Sequence, residues 1–388
     1  MKQTPGFLIA VKLMKEFAAL TGLSPAGDVQ RRYLWTDAFA VCNFLGLYRE
    51  TNDETFKNLS LLLVDQVHRI LGRHRGDDGR KGWIGGLDER EGELHPTIGG
   101  LRIGKKMNER GPDDPIDDRL EWDRDGQYYH YLTKWMHALN RVSSITGNPA
   151  FGRWAVELAK TAYAKFTYGS ISSQKRMYWK MSIDLSYPLV ASMGHHDPLD
   201  GLIACCELQI GQAGDSEGLP DLAGEIDGLA ALCKGKDWTT DDPLGIGGLL
   251  SDAFTVAQMM ARGPFLQSDL LAALLEACRL GLQIYTGTGS LKAPARYRLA
   301  FRELGLSIGL HALERLHRLS EEKPGVFTGQ QSPGKQVENL MRYRDLAEII
   351  ENFWLQPANR EAPGFTDHRD INAVMLATSL APDGYLML

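Results

Sequence analysis

Residues 31–49 of this chain are apolar nearly all the way round a helix. Leu34, Trp35, Phe39, Val41, Cys42, Phe44, Leu45 and Leu47 cover its faces, and Asp37 is the only charge between Tyr33 and Tyr48. Such a helix has to be buried on every side. The next segment, 54–73, sets Lys57, Asp65 and Arg69 opposite Phe56, Leu59, Leu63, Val67 and Ile70, so one face is wet and the helix packs outside. The contrast returns between 198–213 (Leu202, Ile203, Ala204, Cys205, Cys206, Leu208) and its neighbours. It returns again between 336–354, with Glu338, Arg342, Asp345 and Glu348, and the uncharged run from Ile371 to Leu380. Inner and outer helices alternate along the chain.

Apolar period, start signals and breakers predict about twelve helices, near 7–21, 31–49, 54–73, 126–146, 150–166, 198–213, 219–234, 245–262, 266–285, 295–318, 336–354 and 368–381. Two of the turns repeat one another. Thr51-Asn52-Asp53-Glu54-Thr55-Phe56 and Thr146-Gly147-Asn148-Pro149-Ala150-Phe151 share Thr, a turn residue, Asn or Asp, and Phe at identical spacing. Asn52 and Gly147 suit a helix end that needs positive φ, Asp53 and Asn148 can cap the next helix, and Pro149 fits its first position. These are tight helical hairpins. With no Pro/Gly/Ser linker between different compositions, the chain reads as one domain over 1–388.

Paired inner and outer helices are what a closed double ring of helices requires, and here the chain resembles the six-hairpin, or (α/α)6-toroid, glycosidase superfamily. That group includes glycoside hydrolases, unsaturated-uronide hydrolases and the N-acylglucosamine and cellobiose 2-epimerases. Arg32-Tyr33-Leu34-Trp35-Thr36-Asp37-Ala38-Phe39, followed by Tyr48-Arg49-Glu50-Thr51-Asn52-Asp53, is similar to the helix-and-turn pattern of those families. The resemblance implies an all-α (α/α)6 toroid of six helical hairpins, with long loops and small β-hairpins over one face, and a carbohydrate-active enzyme.

Charge and cysteine usage narrow the partners. Lys plus Arg 43 against Asp plus Glu 49 gives a net charge of −6, so no basic excess exists to hold a phosphate backbone, and nucleic acid is not an expected partner. Cys42, Cys205, Cys206, Cys233 and Cys278 lack CxxC or Cys/His ligand spacing and read as reduced core residues. Lys12, Lys15 and Glu16 interrupt what would be the apolar part of a signal peptide, and no run of about 18 apolar residues is present. A cytoplasmic protein with no membrane partner and no cofactor is expected. Gly287-Thr288-Gly289 and Gly245-Ile246-Gly247-Gly248 lack the strand-before-helix context of a nucleotide site.

In such a toroid the starts of the inner helices and the long connections meet at one face, and polar residues gather there. The segments concerned contain Tyr33, Trp35 and Asp37; Glu121, Trp122, Asp123, Asp125, Gln127, Tyr128 and His130; His195, His196, Asp197 and Asp200; Asp241, Asp242 and Asp252; Lys292, Arg296 and Arg298; and Asp367, His368, Arg369, Asp370 and Asn372. Asp at a helix start can simply be a cap. Asp37 lies inside an uncharged helix and needs a partner, either a substrate or Arg31 or Arg32, because an unpaired buried carboxylate is costly.

The connection 74–125 is glycine-rich and far longer than usual, and alternating stretches near 94–105 predict an ordered lid with β-hairpins. The connection 168–197 holds the strand-like run from Met177 to Ile183 and ends at His195-His196-Asp197. Trp83, Trp122, Trp179 and Trp238 lie between helices, where flat rings can stack on sugar faces or anchor a loop.

Two sugar chemistries fit. Glycoside hydrolysis needs a carboxyl pair, and Asp37 with Asp125 is the first expectation, Asp123 and Glu121 being substitutes. His130, His195 and His196 would then orient hydroxyls or tune those carboxyls; Trp83, Trp122 and Trp179 would form the sugar platform; and Tyr33, Trp35, Asp123, Gln127, Tyr128, His368 and Arg369 would line it. Epimerisation or isomerisation beside a carbonyl instead uses bases of near-neutral pKa, which His130, His195, His196 and His368 supply. The same ring of helices also hosts terpenoid cyclases and dehydratase-isomerases, and a non-catalytic helical scaffold is a further alternative. The His195-His196-Asp197 run could serve a metal, although adjacent side chains rarely reach one ion together. The expected partner is a small molecule, a mono- or oligosaccharide.

Overall fold

The computed structural model describes residues 4–27, 30–169, 175–211, 221–263, 269–328 and 332–388. Its internal contacts divide the chain into two compact units, one of Met1–Phe17 with Lys236–Leu388 and the other of Ala18–Gly235. The first helix is α1 (Pro5–Leu20).

The unit Ala18–Gly235 is built of α2 (Leu34–Thr51), α3 (Glu54–Leu71), the short α4 (Glu89–Leu94) and α5 (Asp118–Glu121), then α6 (Tyr129–Thr146), α7 (Pro149–Phe166), α8 (Asp197–Gly211) and α9 (Ala223–Cys233). Helix α2 packs on α3, α6 on α7 and α8 on α9, while α2 meets α6 and α6 meets α8. Three hairpins therefore stand side by side, with α2, α6 and α8 as the inner row. The two repeated turns are built alike. Asn52 (φ 54) and Gly147 (φ 68) are left-handed. The Asp53 and Asn148 side chains accept the N–H groups of Thr55 (2.9 Å) and Ala150 (3.0 Å). The Thr51 and Thr146 hydroxyls donate to the carbonyls of Leu47 and Val142, each at 2.7 Å.

Five short strands complete this unit: β1 (Gln127–Tyr128), β2 (Thr167–Tyr168), β3 (Arg176–Met177), β4 (Lys180–Met181) and β5 (Pro188–Val190). Strands β1, β4 and β5 form an antiparallel sheet in that order, with Gln127 opposite Met181 and Tyr128 opposite Lys180. Strands β2 and β3 pair separately. Apart from β1, which leads into α6, the small strands thus fall in or at the edge of the connection 168–197. The β-hairpins expected near 94–105 do not form; 74–125 holds two short helices and only isolated bridges, Arg73 to Trp83 and Met107 to Arg124. Its glycines favour turns over paired strands, Gly82, Gly86, Gly100 and Gly104 all taking positive φ.

The other unit continues with α10 (Pro243–Arg262), α11 (Leu270–Gly287), α12 (Ala300–Glu322), α13 (Pro333–Leu340), α14 (Leu346–Leu355), α15 (Pro357–Arg360), α16 (Pro363–Thr366), α17 (Arg369–Leu380) and α18 (Asp383–Leu386). The helix expected over 336–354 is split between α13 and α14. The expected helix positions 212–213, 219–220 and 266–268 lie outside the described residues. Helix α10 is long and apolar enough to cross a membrane by length and composition. Its Ile246, Leu249, Leu250, Phe254 and Val256 are instead buried, each contributing roughly 1.5–3 kcal/mol. It lies against α12 so closely that a Cβ on Gly247 would sit 2.0 Å from the Gly305 carbonyl oxygen. The apolar character of α10 is that of a core helix. All five cysteines are free, and four are buried.

Candidate active site

Helices α2, α6 and α8 begin close together in the Ala18–Gly235 unit, and their first turns carry most of the expected site residues. Tyr33 and Tyr128 are the cap residues of α2 and α6. The hydroxyls of Tyr33 and Tyr131 share a hydrogen bond of 2.7 Å, which ties the two helix starts together. Burial pushes the Tyr33 hydroxyl up to about 12, so it stays protonated at neutral pH.

His130 sits in the first turn of α6 within a cluster of rings. Tyr131 stands edge-on to it at 4.8 Å, Tyr128 is tilted at 5.4 Å, and Trp179 is near-parallel to it, with centroids 6.4 Å apart and planes at 17°. The exposed Trp122 meets Trp179 edge-on at 5.5 Å. Behind His130, its Nδ1 lies 3.4 Å from Oδ1 of Asp197, the first residue of α8, and the imidazole is 27% exposed against 5% for the carboxylate. The histidine therefore reaches solvent while the carboxylate behind it does not. His196 is half-buried and His195 exposed, their rings 4.6 Å apart.

The carboxylates expected to hydrolyse a glycosidic bond are otherwise engaged. Asp37 is 1% exposed; its Oδ2 accepts the Tyr33 N–H at 2.9 Å, and its Oδ1 lies 3.5 Å from the buried Arg32 guanidinium. The structure thus supplies the Arg32 partner that a buried Asp37 needs. Asp125 is 0% exposed and more heavily held. Its Oδ2 accepts from Arg102 (2.9 Å) and Arg75 (3.2 Å), its Oδ1 from the N–H groups of Gly104 (2.9 Å) and Gly126 (3.1 Å). With both oxygens occupied and no solvent access, Asp125 organises the loop and departs from its expected place at the reacting bond.

Gln127 and Trp83 depart from a substrate-lining place for the same reason. The Gln127 amide donates to the carbonyls of Gly99 (3.0 Å) and Ile183 (2.7 Å) and accepts the Leu101 N–H (2.9 Å), joining the two long connections to one side chain. Trp83 is 4% exposed. Arg73 covers its ring at 4.4 Å, and Gly92 lies so near that a Cβ there would be 2.2 Å from the indole. Trp35 is also buried, against Phe39 at 4.7 Å. Asp123 is exposed beside Trp122, whereas Glu121 is enclosed by Arg110 and Lys180. His368 and Arg369 belong to the other unit, where both are exposed and His368 stands edge-on to Phe301.

Sequence reading missed a ladder of acid–base pairs between α6 and α8. His130 pairs with Asp197, Lys134 with Asp200 (3.1 Å) and His137 with Glu207 (2.9 Å). The order is the same on both helices, so they run parallel. Spacing i, i+4, i+7 puts His130, Lys134 and His137 on one face of α6, a signal present in the sequence. At the last rung burial opposes the charge on His137, yet the Glu207 carboxylate and a hydrogen bond with Cys42 raise the imidazole to about 10. Glu207 is further bonded by the Asn140 amide at 2.7 Å. Lys105 and Tyr131 were also not singled out. Among the described residues no group of three or more His, Cys, Asp or Glu is placed to hold a metal ion.

No family model matches the chain, and no curated protein matches it. Among solved structures it is similar to one described as D-mannose isomerase, with a TM-score of 0.50 and 12% identity, over 97% of this chain and 100% of that one. The chain has the all-α, helical-toroid fold of that isomerase. The alternation of buried and amphipathic helices is the sequence signature of that fold, and the turns repeated at Asn52 and Gly147 are its hairpin connections.

Proposed function

We propose that the protein is a sugar isomerase or epimerase in which His130 moves a proton at the carbon beside the carbonyl of an open-chain sugar. The observation that carries this reading is the His130–Asp197 pair, open to solvent inside a ring of aromatic side chains. The likeness to D-mannose isomerase supports the same reaction class. A carboxylate-pair hydrolase, the first expectation, is less well supported, since Asp37 and Asp125 are enclosed in ion pairs.

The residues divide the work as follows. Asp197, whose Oδ1 lies 3.4 Å from Nδ1 of His130, would accept the Nδ1 proton once the two close up on substrate, fixing the tautomer and leaving Nε2 as the base. At 3.4 Å the two groups are not yet hydrogen-bonded, and catalytic hydrogen bonds often tighten only when substrate is bound. Nε2 takes the proton from C2 of an aldose, giving an enediolate. Return of the proton to C1, with the O2 hydroxyl proton passing to O1, yields the ketose; delivery of a proton to the opposite face of C2 by a second, protonated base, for which His196 is the nearest candidate in sequence, yields the epimer. The Tyr33–Tyr131 hydroxyl pair retains one free donor proton for the developing oxyanion. Trp179 and Trp122 offer faces to the apolar side of the sugar.

The test is proton NMR of D-mannose and other aldoses incubated with the protein in D2O. Loss of the C2–H signal with appearance of ketose or epimer is expected, and His130→Gln should slow it by about 10²–10⁴-fold. Release of reducing sugar from glycosides without exchange at C2 would return the protein to the hydrolase reading.

A further inference from the structure

Two lysines stand over the two tyrosines that cap α2 and α6, and only one of them has an acid of its own. Lys180 Nζ lies 5.5 Å from the Tyr128 ring centroid. It is completely buried, and its three donors are used by the carbonyls of Glu121 (2.7 Å) and Arg124 (2.8 Å) and by Glu121 Oε2 (3.3 Å). Lys105 Nζ lies at the same 5.5 Å from the Tyr33 ring, on the long connection 74–125. It is half-buried, yet among the described residues it makes no ion pair within 4 Å and no hydrogen bond through its ammonium.

The surrounding acids are committed elsewhere. Asp125 is held by Arg75 and Arg102, Glu121 by Arg110 and Lys180, and Asp197 faces His130. Asp123 acts on Lys105 only at a distance. An ammonium has three donors and no acceptor, and drawing it out of water without a counter-charge is costly. Desolvation accordingly lowers the Lys105 pKa, against the pull of Asp123 and Asp125. The Tyr33 ring beneath it leads directly to the catalytic cluster, through the Tyr33–Tyr131 hydroxyl bond and the Tyr131–His130 edge contact.

We infer that Lys105 is a specificity-determining residue that receives a carboxylate carried by the substrate, so that the sugar turned over at His130 is a sugar acid. This rests on the sugar-isomerase reading of the site. One ammonium balances the single charge of a carboxylate, whereas a phosphate dianion would keep a second negative charge that Lys105 alone does not balance. The chain's net charge of −6 makes a dedicated cation the more necessary for an anionic substrate.

Calorimetric binding of D-glucuronate, D-glucose and D-glucose 6-phosphate to the full-length protein and to Lys105→Gln and Lys105→Arg tests it. The wild type should bind glucuronate at least about tenfold more tightly than glucose, a difference worth about 1.4 kcal/mol. Lys105→Gln should abolish that preference without changing glucose binding, and Lys105→Arg should keep most of it. Equal binding of charged and neutral sugars, a preference that survives Lys105→Gln, or tighter binding of the phosphate than of the carboxylate overturns the inference. Binding is read without turnover. A protein that discriminates charge through Lys105 but exchanges no C2 proton would sink the isomerase reading alone.

Discussion

Replacing Asp125 by Asn separates a loop-organising carboxylate from a catalytic one. The substitution keeps the volume and one acceptor for the Gly104 and Gly126 N–H groups, but removes the charge that faces Arg75 and Arg102. The carboxylate is 0% exposed and the two guanidinium side chains are 12% and 11% exposed, so water replaces little of what is lost. Taking one partner from a buried pair costs roughly 3–5 kcal/mol. Arg75 retains Asp77 and the Lys105 carbonyl, and Arg102 retains the carbonyls of Arg73 and Ile70, which argues for the lower end, about 3 kcal/mol. At roughly 2–4 °C per kcal/mol for a unit of this size, the unfolding midpoint should fall by about 6–12 °C. Circular dichroism melts at pH 7 measure it, with tryptophan emission reporting the loop around Trp122. The double variant Asp125→Asn, Arg102→Gln should be less destabilised than the sum of the singles, because the orphaned guanidinium is gone. A variant that melts with the wild type yet has lost all turnover would refute this reasoning and restore Asp125 as an acid or base.

Asp197→Asn should lower kcat by about 10²-fold or more with KM little changed, since it disturbs the tautomer of His130 and not the sugar platform; steady-state kinetics at several pH values check it. Gln127→Leu removes the donors to Gly99 and Ile183 and leaves the buried Ile183 carbonyl and the half-buried Gly99 carbonyl without their partner, so a loss of about 2–4 kcal/mol is expected in urea unfolding. His137 has a folded pKa of about 10, above its unfolded value of 6.5. Its contribution is therefore fully present below pH 6.5 and is lost as pH rises toward 10, and Glu207→Gln should flatten that part of the stability–pH curve. His68 behaves oppositely. Burial lowers it to about 3, with Nε2 accepting the Trp135 indole N–H at 3.1 Å, so its contribution is present above pH 6.5 and is lost as pH falls through 3. Acid unfolding of His68→Gln should show a shallower slope over that window.

The sequence by itself determined the helices and their turns. Positive φ at Asn52 and Gly147, caps at Asp53 and Asn148, and the apolar circumference of α2 act over a few residues, and such short-range terms are written into the local sequence. It also gathered most of the polar cluster, because residues at helix starts must meet when the inner helices run parallel. Which members of that cluster are enclosed by ion pairs and which face solvent was decided only by the tertiary structure. Asp125 meets Arg102 across 23 residues and Arg75 across 50, and Gln127 reaches Ile183 across 56. Nothing local distinguishes those carboxyl and amide groups from ligands of a substrate; closure of the two long loops assigns them. The α6 face bearing His130, Lys134 and His137 was legible as a stripe, but its pairing with Asp197, Asp200 and Glu207 depends on the register in which α8 lies against α6. That register, and with it the solvent-facing His130 and the half-buried Lys105, is a property of packing between segments far apart in the chain.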